Sequence, residues 1–267
     1  MSEGQAVFPK APVELVAVEV RFRNSDRLRR PEVLDKLQRA LEDLLPIRHD
    51  EQMVAVALGG QMVDQPYEQV VLFIDPTETT SAAIRSTALT VETTRYKDFT
   101  TFRDVVYRCM VALAELQVVP AVERVGLRFV DEIRVAEPIE DAGSWEHWLS
   151  GDLLAARSIG EPNRLSMLQG TMQFETGEHT NLVVRYAMLT GPGVVQPASL
   201  RPRETAPSGP FFVLDIDSYW QPLPDHPREF DPEFIAVLLD KLLAPVEETF
   251  RRGAITNRRR NVPGEQS

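Results

Sequence analysis

The stretch VELVAVEVRF at residues 13–22 returns, with changes, as VERVGLRFVDEIRV from residue 122 onward. In the first copy, valine and phenylalanine alternate with alanine, glutamate and arginine, which is the period of two of a β-strand with one buried face. When Val13 is set against Val122, an offset of 109 positions (122 − 13), large apolar residues fall in the same places. The two stretches therefore predict equivalent strands in two related halves.

The residues after the first copy predict a helix, three strands and a closing helix. RRPEVLDKLQRALEDLLP places Pro31 in the first helical turn and repeats leucine at helical spacing. The three predicted strands are MVAVALGGQMV (53–63), EQVVLFID (68–75) and AIRSTALTVETTRY, the last with an interruption left open. DFTTFRDVVYRCMVALAEL predicts the closing helix, with Thr101 and Asp104 spaced as a capping box.

The second copy is followed by the same order of elements. SWEHWLSGDLLAAR predicts a helix opened by Ser144, RLSMLQGTMQFE and TNLVVRYAML predict a hairpin, and FFVLDIDSYW predicts the last strand. The closing helix is predicted to begin at Asp231. Setting Tyr96 against Tyr219 aligns the last strands of the two halves and puts Glu92 opposite Asp215.

This order predicts an α+β fold built by tandem duplication of a strand-helix-three-strand-helix unit. The units are predicted to form an antiparallel sheet with helices on one face, in a pseudo-twofold arrangement that resembles the TATA-box-binding proteins in outline. We expect a first repeat at 12–119, a second at 120–255 with a Pro-rich insertion at 191–210, and flexible tails at 1–11 and 256–267. Chance similarity of two valine-rich strands is the alternative, and whether the repeats share one sheet stays open.

Composition limits the classes of partner. The chain has 267 residues and a net charge of −11, with a pI near 5.0, which argues against a phosphate-binding surface for nucleic acid. Its apolar runs are shorter than the roughly 20 residues a bilayer requires, and no secretory signal is visible at the N-terminus. Cys109 is the single cysteine and lies in the apolar stripe of a predicted helix. We therefore expect a cytoplasmic protein without a membrane partner.

The sequence contains none of the established motifs for catalysis, zinc binding or nucleotide binding that we sought. The pattern H-E-x-x-H of zinc enzymes is absent, and so is the G-x-S-x-G of α/β-hydrolases. The glycine pairs lack the Lys and Ser or Thr of a phosphate loop. We therefore expect no cofactor, no metal and no recognisable enzyme; an enzyme with dispersed catalytic residues is the alternative.

Charged residues gather on the face of the predicted sheet that turns away from the helices. If Val16, Val125 and Leu214 face the helices, the strand period puts charged residues of both signs on the opposite face. These are Glu19, Arg21, Glu92, Arg124, Arg128, Asp215 and Asp217. One interpretation is a polar groove, in which the arginines receive an anion and the Asp-x-Asp pair holds a cation or polar partner. The other is cross-strand ion pairing on a solvated face.

Several short motifs together resemble a family of bacterial proteins that occur sporadically and have no assigned activity. They are APVELVAVEVRF, YKDFTTFRDVV, VERVGLRFVDEI, LDIDSYW and a closing helix that runs into FRRGAIT. The 191–210 insertion has no place in that pattern, and Phe129-Val130-Asp131 stands where the family has an aromatic residue followed by Ile-Asn. The resemblance carries no catalytic residues. Sporadic occurrence implies an accessory role, for instance in defence or toxin control.

These observations favour a non-enzymatic binding or interaction module that uses the open sheet face or the groove between the repeats. We expect a protein partner or self-association, with a small anionic ligand as a further option. The alternative is a small-molecule sensor or a hydrolytic enzyme with a polar pocket around Arg124, Arg128, Asp215 and Asp217. The candidate binding residues are Arg21, Arg124, Arg128, Asp215 and Asp217.

Overall fold

The described residues form a single antiparallel sheet of nine strands. The computed structural model describes residues 12–53, 68–135, 138–140, 142–155, 159, 163, 165–193, 200–202, 208–223 and 225–254. The strands are β1 (Val13–Phe22), β2 (Ile47–Met53), β3 (Glu68–Ile74), β4 (Thr80–Ile84), β5 (Ala88–Thr93), β6 (Val122–Ile133), β7 (Gln169–Gly177), β8 (Thr180–Gly191) and β9 (Gly209–Trp220). Their order across the sheet is β2-β3-β4-β5-β1-β6-β9-β8-β7. The two halves therefore share one continuous sheet, which confirms the predicted α+β class.

In the described part of the chain, three long helices cover one face of this sheet. They are α1 (Pro31–Leu41), α2 (Phe99–Glu115) and α4 (Pro232–Ala254), and a single turn, α3 (Gly151–Leu154), lies between β6 and β7. α4 packs on β9, β6 and β8, and α2 packs on β5, on α1 and on α4. Val16, Val125 and Leu214 are fully buried beneath the helices, as the strand period predicts. Among the described residues, no helix has both the length and the apolarity to cross a membrane.

The pairing of β1 with β6 has the register that a twofold axis would give. Val18 lies opposite Leu127, its predicted counterpart 109 positions later (127 − 18). On each side of that pair, Val16 lies opposite Phe129 and Val20 opposite Val125. Each half also pairs its first strand with its last, since β1 pairs with β5 and β6 with β9. The duplication itself stays a prediction, but the sheet order and this register are what it requires.

The register corrects the alignment of the two last strands. Glu92 lies opposite Ala17 in β1, and Tyr219 lies opposite Gly126 in β6. Gly126 follows Ala17 by the same offset of 109 (126 − 17). The structural counterpart of Glu92 is therefore Tyr219, and the alignment that put Glu92 opposite Asp215 is wrong.

The described residues of the first half form four strands after the first helix, where the sequence predicts three. β2 was not predicted, because IRHDEQM has apolar residues only at its two ends, and the strand forms by pairing with β3 along its whole length. The predicted strand 53–63 shares only Met53 with β2, and the rest of it lies outside the described residues. AIRSTALTVETTRY is indeed interrupted, and it forms β4 and β5 on either side of a turn.

The capping box predicted for α2 and the start predicted for the next helix are wrong. Asp98 caps α2, since one of its carboxylate oxygens accepts a hydrogen bond from the Thr101 backbone N–H at 2.8 Å. Thr101 is thus the third helical residue, and the predicted capping box does not form. The helix predicted from Ser144 is divided into a 3-10 segment at Ala142–His147 and the single turn of α3, whose cap is Ser150.

The predicted insertion reaches across the sheet to the first half. Leu200 is buried against Val70, Leu72 and Ala83, on the face of the sheet away from the helices. The next residue, Arg201, donates a backbone hydrogen bond to the Glu78 carbonyl oxygen at 2.6 Å, and its side chain pairs with the Glu78 carboxylate at 2.7 Å. This end of the open face is therefore apolar and covered. The predicted tails at 1–11 and 256–267 lie outside the described residues.

Candidate binding face of the sheet

The charged residues singled out in the sequence lie together on the face away from the helices. β1, β6, β9 and β8 are consecutive neighbours there, so their outward side chains form rows across the sheet. Ala17 lies opposite Arg128, which lies opposite Asp217 in the next strand. Because neighbouring strands are about 4.8 Å apart, long side chains bridge to diagonal positions as well as directly opposite ones. We call this set of charged rows the ion-pair face.

Arg124 is the centre of one cluster on the ion-pair face. Its Nη2 donates to both carboxylate oxygens of Asp217, at 3.0 and 2.8 Å, and its Nη1 donates to Glu19 Oε1 at 3.2 Å. The same Glu19 oxygen accepts a hydrogen bond from Arg21 Nε at 2.6 Å. Two arginines and two carboxylates are thus joined in a neutral chain across β1, β6 and β9. Charge-assisted bonds of this kind hold side chains in fixed geometry.

The Arg124 guanidinium lies against Gly126 and the ring of Tyr219. The guanidinium carbon is 4.5 Å from the centre of the Tyr219 ring, a cation–π contact. A Cβ on Gly126 would lie 2.9 Å from Arg124 Cζ and 3.0 Å from Nη2, closer than real Cβ atoms approach such neighbours. Any larger residue at this position would therefore displace the guanidinium of the arginine that crosses it.

Asp215 is the centre of the second cluster, and it is shared by two arginines. Arg128 binds its carboxylate in a bidentate manner, with Nε to Oδ1 at 2.8 Å and Nη2 to Oδ2 at 2.9 Å. Arg185 from β8 reaches Oδ2 at 3.5 Å. Both arginine side chains are about half exposed, at 49% and 46%, whereas that of Asp215 is 10% exposed. The carboxylate therefore lies below two guanidinium groups that present their outer edges to solvent.

Glu92 is the carboxylate on the ion-pair face whose pKa is raised. Burial is the main cause, and it outweighs the opposing effects of Arg85, a hydrogen bond from Ser81 and Arg128. The Ser81 hydroxyl is 3.5 Å from Glu92 Oε1, a long contact. The pKa of Arg128 is also raised, chiefly by its hydrogen bonds to Asp215. Arg128 therefore stays charged, and Glu92 takes up a proton at a higher pH than an exposed glutamate.

Within the part of the chain that the structure describes, no cluster of three His, Cys, Asp or Glu side chains could hold a metal ion. The two carboxylates of the Asp-x-Asp pair are each bonded to an arginine, Asp215 to Arg128 and Asp217 to Arg124. A cation between them would have to displace a bidentate guanidinium. This geometry favours cross-strand ion pairing over a cation site for the aspartates themselves.

All five predicted binding residues lie on the ion-pair face, and they form two clusters. Arg21, Arg124 and Asp217 belong to the first, and Arg128 and Asp215 to the second. Sequence analysis missed Arg185, which completes the second cluster. The signal was present, because Arg185 alternates with the buried Val184 in β8, but only the register shows that it lies opposite Asp215.

Trp145, Trp220 and Cys109 are buried core residues. Trp145 is fully buried and packs on Phe212, with ring centres 5.7 Å apart, and Trp220 packs on Phe234. Cys109 is buried in α2, as its position in the apolar stripe predicts.

Comparison with protein-family models finds none that matches the chain, and comparison with curated proteins finds no match either. The resemblance to a sporadic bacterial family therefore stays a prediction from the motifs.

Proposed function

We propose that the protein is a non-enzymatic binding module whose open sheet face receives an anionic group of a protein partner. The observation that supports this function is the sharing of one carboxylate, that of Asp215, by Arg128 and Arg185. Both arginine side chains are about half exposed, so the N–H groups that Asp215 does not bind face solvent. Guanidinium groups bind carboxylate and phosphate oxygens through paired N–H donors, so the chemistry of the partner group follows from this geometry.

The buried carboxylate also prepares the cluster for binding. Asp215 already restricts Arg128 through two hydrogen bonds, so the partner does not bear the full entropic cost of ordering that side chain. The chain as a whole carries a net charge of −11, so an anionic partner is not attracted from a distance. Recognition would therefore depend on contact at the ion-pair face itself.

The test is affinity capture from the native cell extract with three forms of the full chain. The first is the wild type, the second is Arg128→Gln with Arg185→Gln, and the third is Arg103→Gln. Arg103 is a matched control, because it forms an ion pair with Asp240 at 2.6 Å between α2 and α4, on the helix side. Protein partners and small molecules that stay bound are identified by mass spectrometry, and thermal melting of each form verifies folding.

We expect a stoichiometric protein that is captured by the wild type and the control but lost with the double variant. Equal capture by all three folded forms would refute the proposal. A retained small anion without a protein partner would instead favour the alternative, a small-molecule sensor or hydrolytic enzyme around Arg124, Arg128, Asp215 and Asp217. In that alternative Glu92, with its raised pKa, is the side chain placed to exchange a proton near the anion. A role in defence or toxin control stays an expectation from the resemblance.

A further inference from the structure

Among the strands that the structure describes, β7 lies at one edge of the sheet, and the backbone groups that it directs outward can be identified. The Met188 backbone N–H donates to the Leu168 carbonyl oxygen at 2.8 Å, just before β7 begins. In an antiparallel pair, hydrogen-bonded positions alternate with positions that point their N–H and C=O groups away from the partner strand. The residues of β7 that point these groups outward are Gln169, Thr171, Gln173 and Glu175. All four are exposed to solvent.

This edge lacks the features that usually prevent strands from pairing. Glu175 is the one charged residue in QGTMQFETG, which contains no lysine, arginine or proline. The opposite edge of the sheet, β2, carries Arg48, His49 and Asp50 within IRHDEQM. Charged side chains and proline commonly prevent exposed edge strands from pairing with other chains. The β2 edge has this protection, and the β7 edge has little of it.

An apolar row runs along β7 on the helix side of the sheet. Phe174 is 47% exposed, although it is a large hydrophobic residue, and Met172 is partly buried beside it. The third position of the row is Gly170, and the ring of Tyr186 in β8 lies over it, so closely that a Cβ there would clash with the ring. One end of the row therefore has the exposed ring of Phe174. At the other end Gly170 has no side chain, and the Tyr186 ring occupies the space above it.

We propose that β7 pairs antiparallel with β7 of a second copy of this chain, about a twofold axis at Met172. In this register Thr171 lies opposite Gln173 of the second copy, so outward backbone groups meet in hydrogen-bonded pairs. Phe174 lies opposite Gly170 of the second copy and covers its Tyr186 ring. Glu175 lies opposite Gln169, so no two carboxylates face each other. A second copy at this edge would explain the exposed phenyl ring, the glycine beneath Tyr186 and the presence of one charged residue alone in β7.

The size of the contact predicts weak, reversible association. Seven paired residues on each side form up to about eight backbone hydrogen bonds and bury on the order of 700 Å² in total, below the roughly 1,200 Å² of a standard interface. Each copy also carries a net charge of −11, which opposes dimerisation. Salt screens that repulsion, so the dimer should strengthen as salt is raised from about 0.05 to 0.3 M.

The first test is sedimentation velocity of the full chain from about 1 to 300 µM. The wild type should move from 30.1 kDa toward twice that mass. Thr171→Lys with Gln173→Lys puts like charges opposite each other and should leave a monomer throughout this range. Thr171→Lys with Gln173→Glu puts opposite charges there and should restore the dimer. Val237→Lys, at an exposed apolar position on α4, should have no effect.

The second test fixes the register. Met172→Cys should form an intermolecular disulfide under mild oxidation, because residues opposite each other at a non-hydrogen-bonded position have Cα atoms about 4.5 Å apart. The native Cys109 is buried and does not compete. A monomer at every concentration would overturn the proposal, as would a dimer that the two lysines leave intact. Loss of the dimer with lysine but no Met172→Cys disulfide would overturn the register.

Discussion

Replacing Gly126 with alanine tests whether the ion-pair face is held in one geometry. The added Cβ would fall within about 3 Å of the Arg124 guanidinium carbon. Gly126 is flanked by ordinary strand pairs with Glu19 and Tyr219, and it does not have a positive φ, so alanine fits the backbone itself. The strain therefore falls on the arginine, which must leave its position over the glycine.

The cost follows from the contacts that Arg124 would lose. Its bonds to Asp217 and Glu19 are charge-assisted, and such bonds contribute about 1.5–3 kcal/mol each when buried. Solvent reaches both acids, which lowers that figure, while the contact with Tyr219 adds roughly 0.5–1 kcal/mol. Alanine in a strand returns about 0.5–1 kcal/mol through reduced backbone entropy. We expect Gly126→Ala to lower the free energy of unfolding by about 1–3 kcal/mol.

Urea denaturation of four proteins completes a double-mutant cycle: the wild type, Gly126→Ala, Arg124→Ala and the double variant. Once the arginine side chain is removed, alanine at 126 should be neutral, or stabilising by about 0.5–1 kcal/mol. The steric argument fails if Gly126→Ala costs the same free energy in both backgrounds. It also fails if the single variant is as stable as the wild type.

Three further predictions concern single side chains. Asp98→Ala should lower the free energy of unfolding by about 0.5–2 kcal/mol, because it removes the α2 cap. Asp104→Ala, in the wrongly predicted capping box, should change it by no more than about 0.5 kcal/mol. Chemical denaturation measures both values. Burial raises the pKa of Glu92 in the folded protein above its value in the unfolded chain, so the fold favours the protonated side chain. The stability that this residue contributes is complete below the pKa of the unfolded chain. It is lost as the pH rises through the pKa of the folded protein. Glu92→Gln should therefore melt higher than the wild type at pH 8 and similarly near pH 4, and a gap independent of pH would contradict this assignment. Burial raises the pKa of the Cys109 thiol to about 12, so a thiol reagent at pH 8 should react with it only after denaturant is added.

Sequence periodicity predicted the elements that bury a regular apolar stripe. α1 keeps three leucines on one side, and β6 alternates large apolar residues with glycine and arginine from Val125 to Phe129, so each pattern reflects the face that it buries. β2 has no such stripe, because only its pairing with β3 stabilises it. The break between β4 and β5 was left open, because apolar residues continue on both sides of the turn. Local patterns therefore fail where partner strands, and not local burial, determine the structure.

The candidate site was predicted as a list of residues but not as a set of pairs. Strand periodicity is enough to put Arg128 and Asp215 on one face, because alternation depends only on neighbours in the sequence. Which arginine meets which aspartate depends on the register of β6 against β9, and a shift of two residues would change every partner. Arg185 was missed for the same reason, because its pairing with Asp215, 30 residues away along the chain, depends on the register of β8 against β9.

The two proposed surfaces are close enough to act together. Arg185 lies opposite Thr171, one residue from the proposed axis, and β8 is next to the edge strand. From the spacing of strands and residues, the two Arg185 Cα atoms of a dimer would be about 16 Å apart on one continuous face. A partner with two acidic groups at that spacing would bind both, and its second contact would be intramolecular. Thr171→Lys with Gln173→Lys leaves Arg128 and Arg185 in place, so it should weaken such a partner by at least tenfold while leaving a partner with one acidic group unaffected. Calorimetric titration with the captured partner would measure this difference. An equal loss for both kinds of partner would mean that the edge lysines disturb the cluster itself.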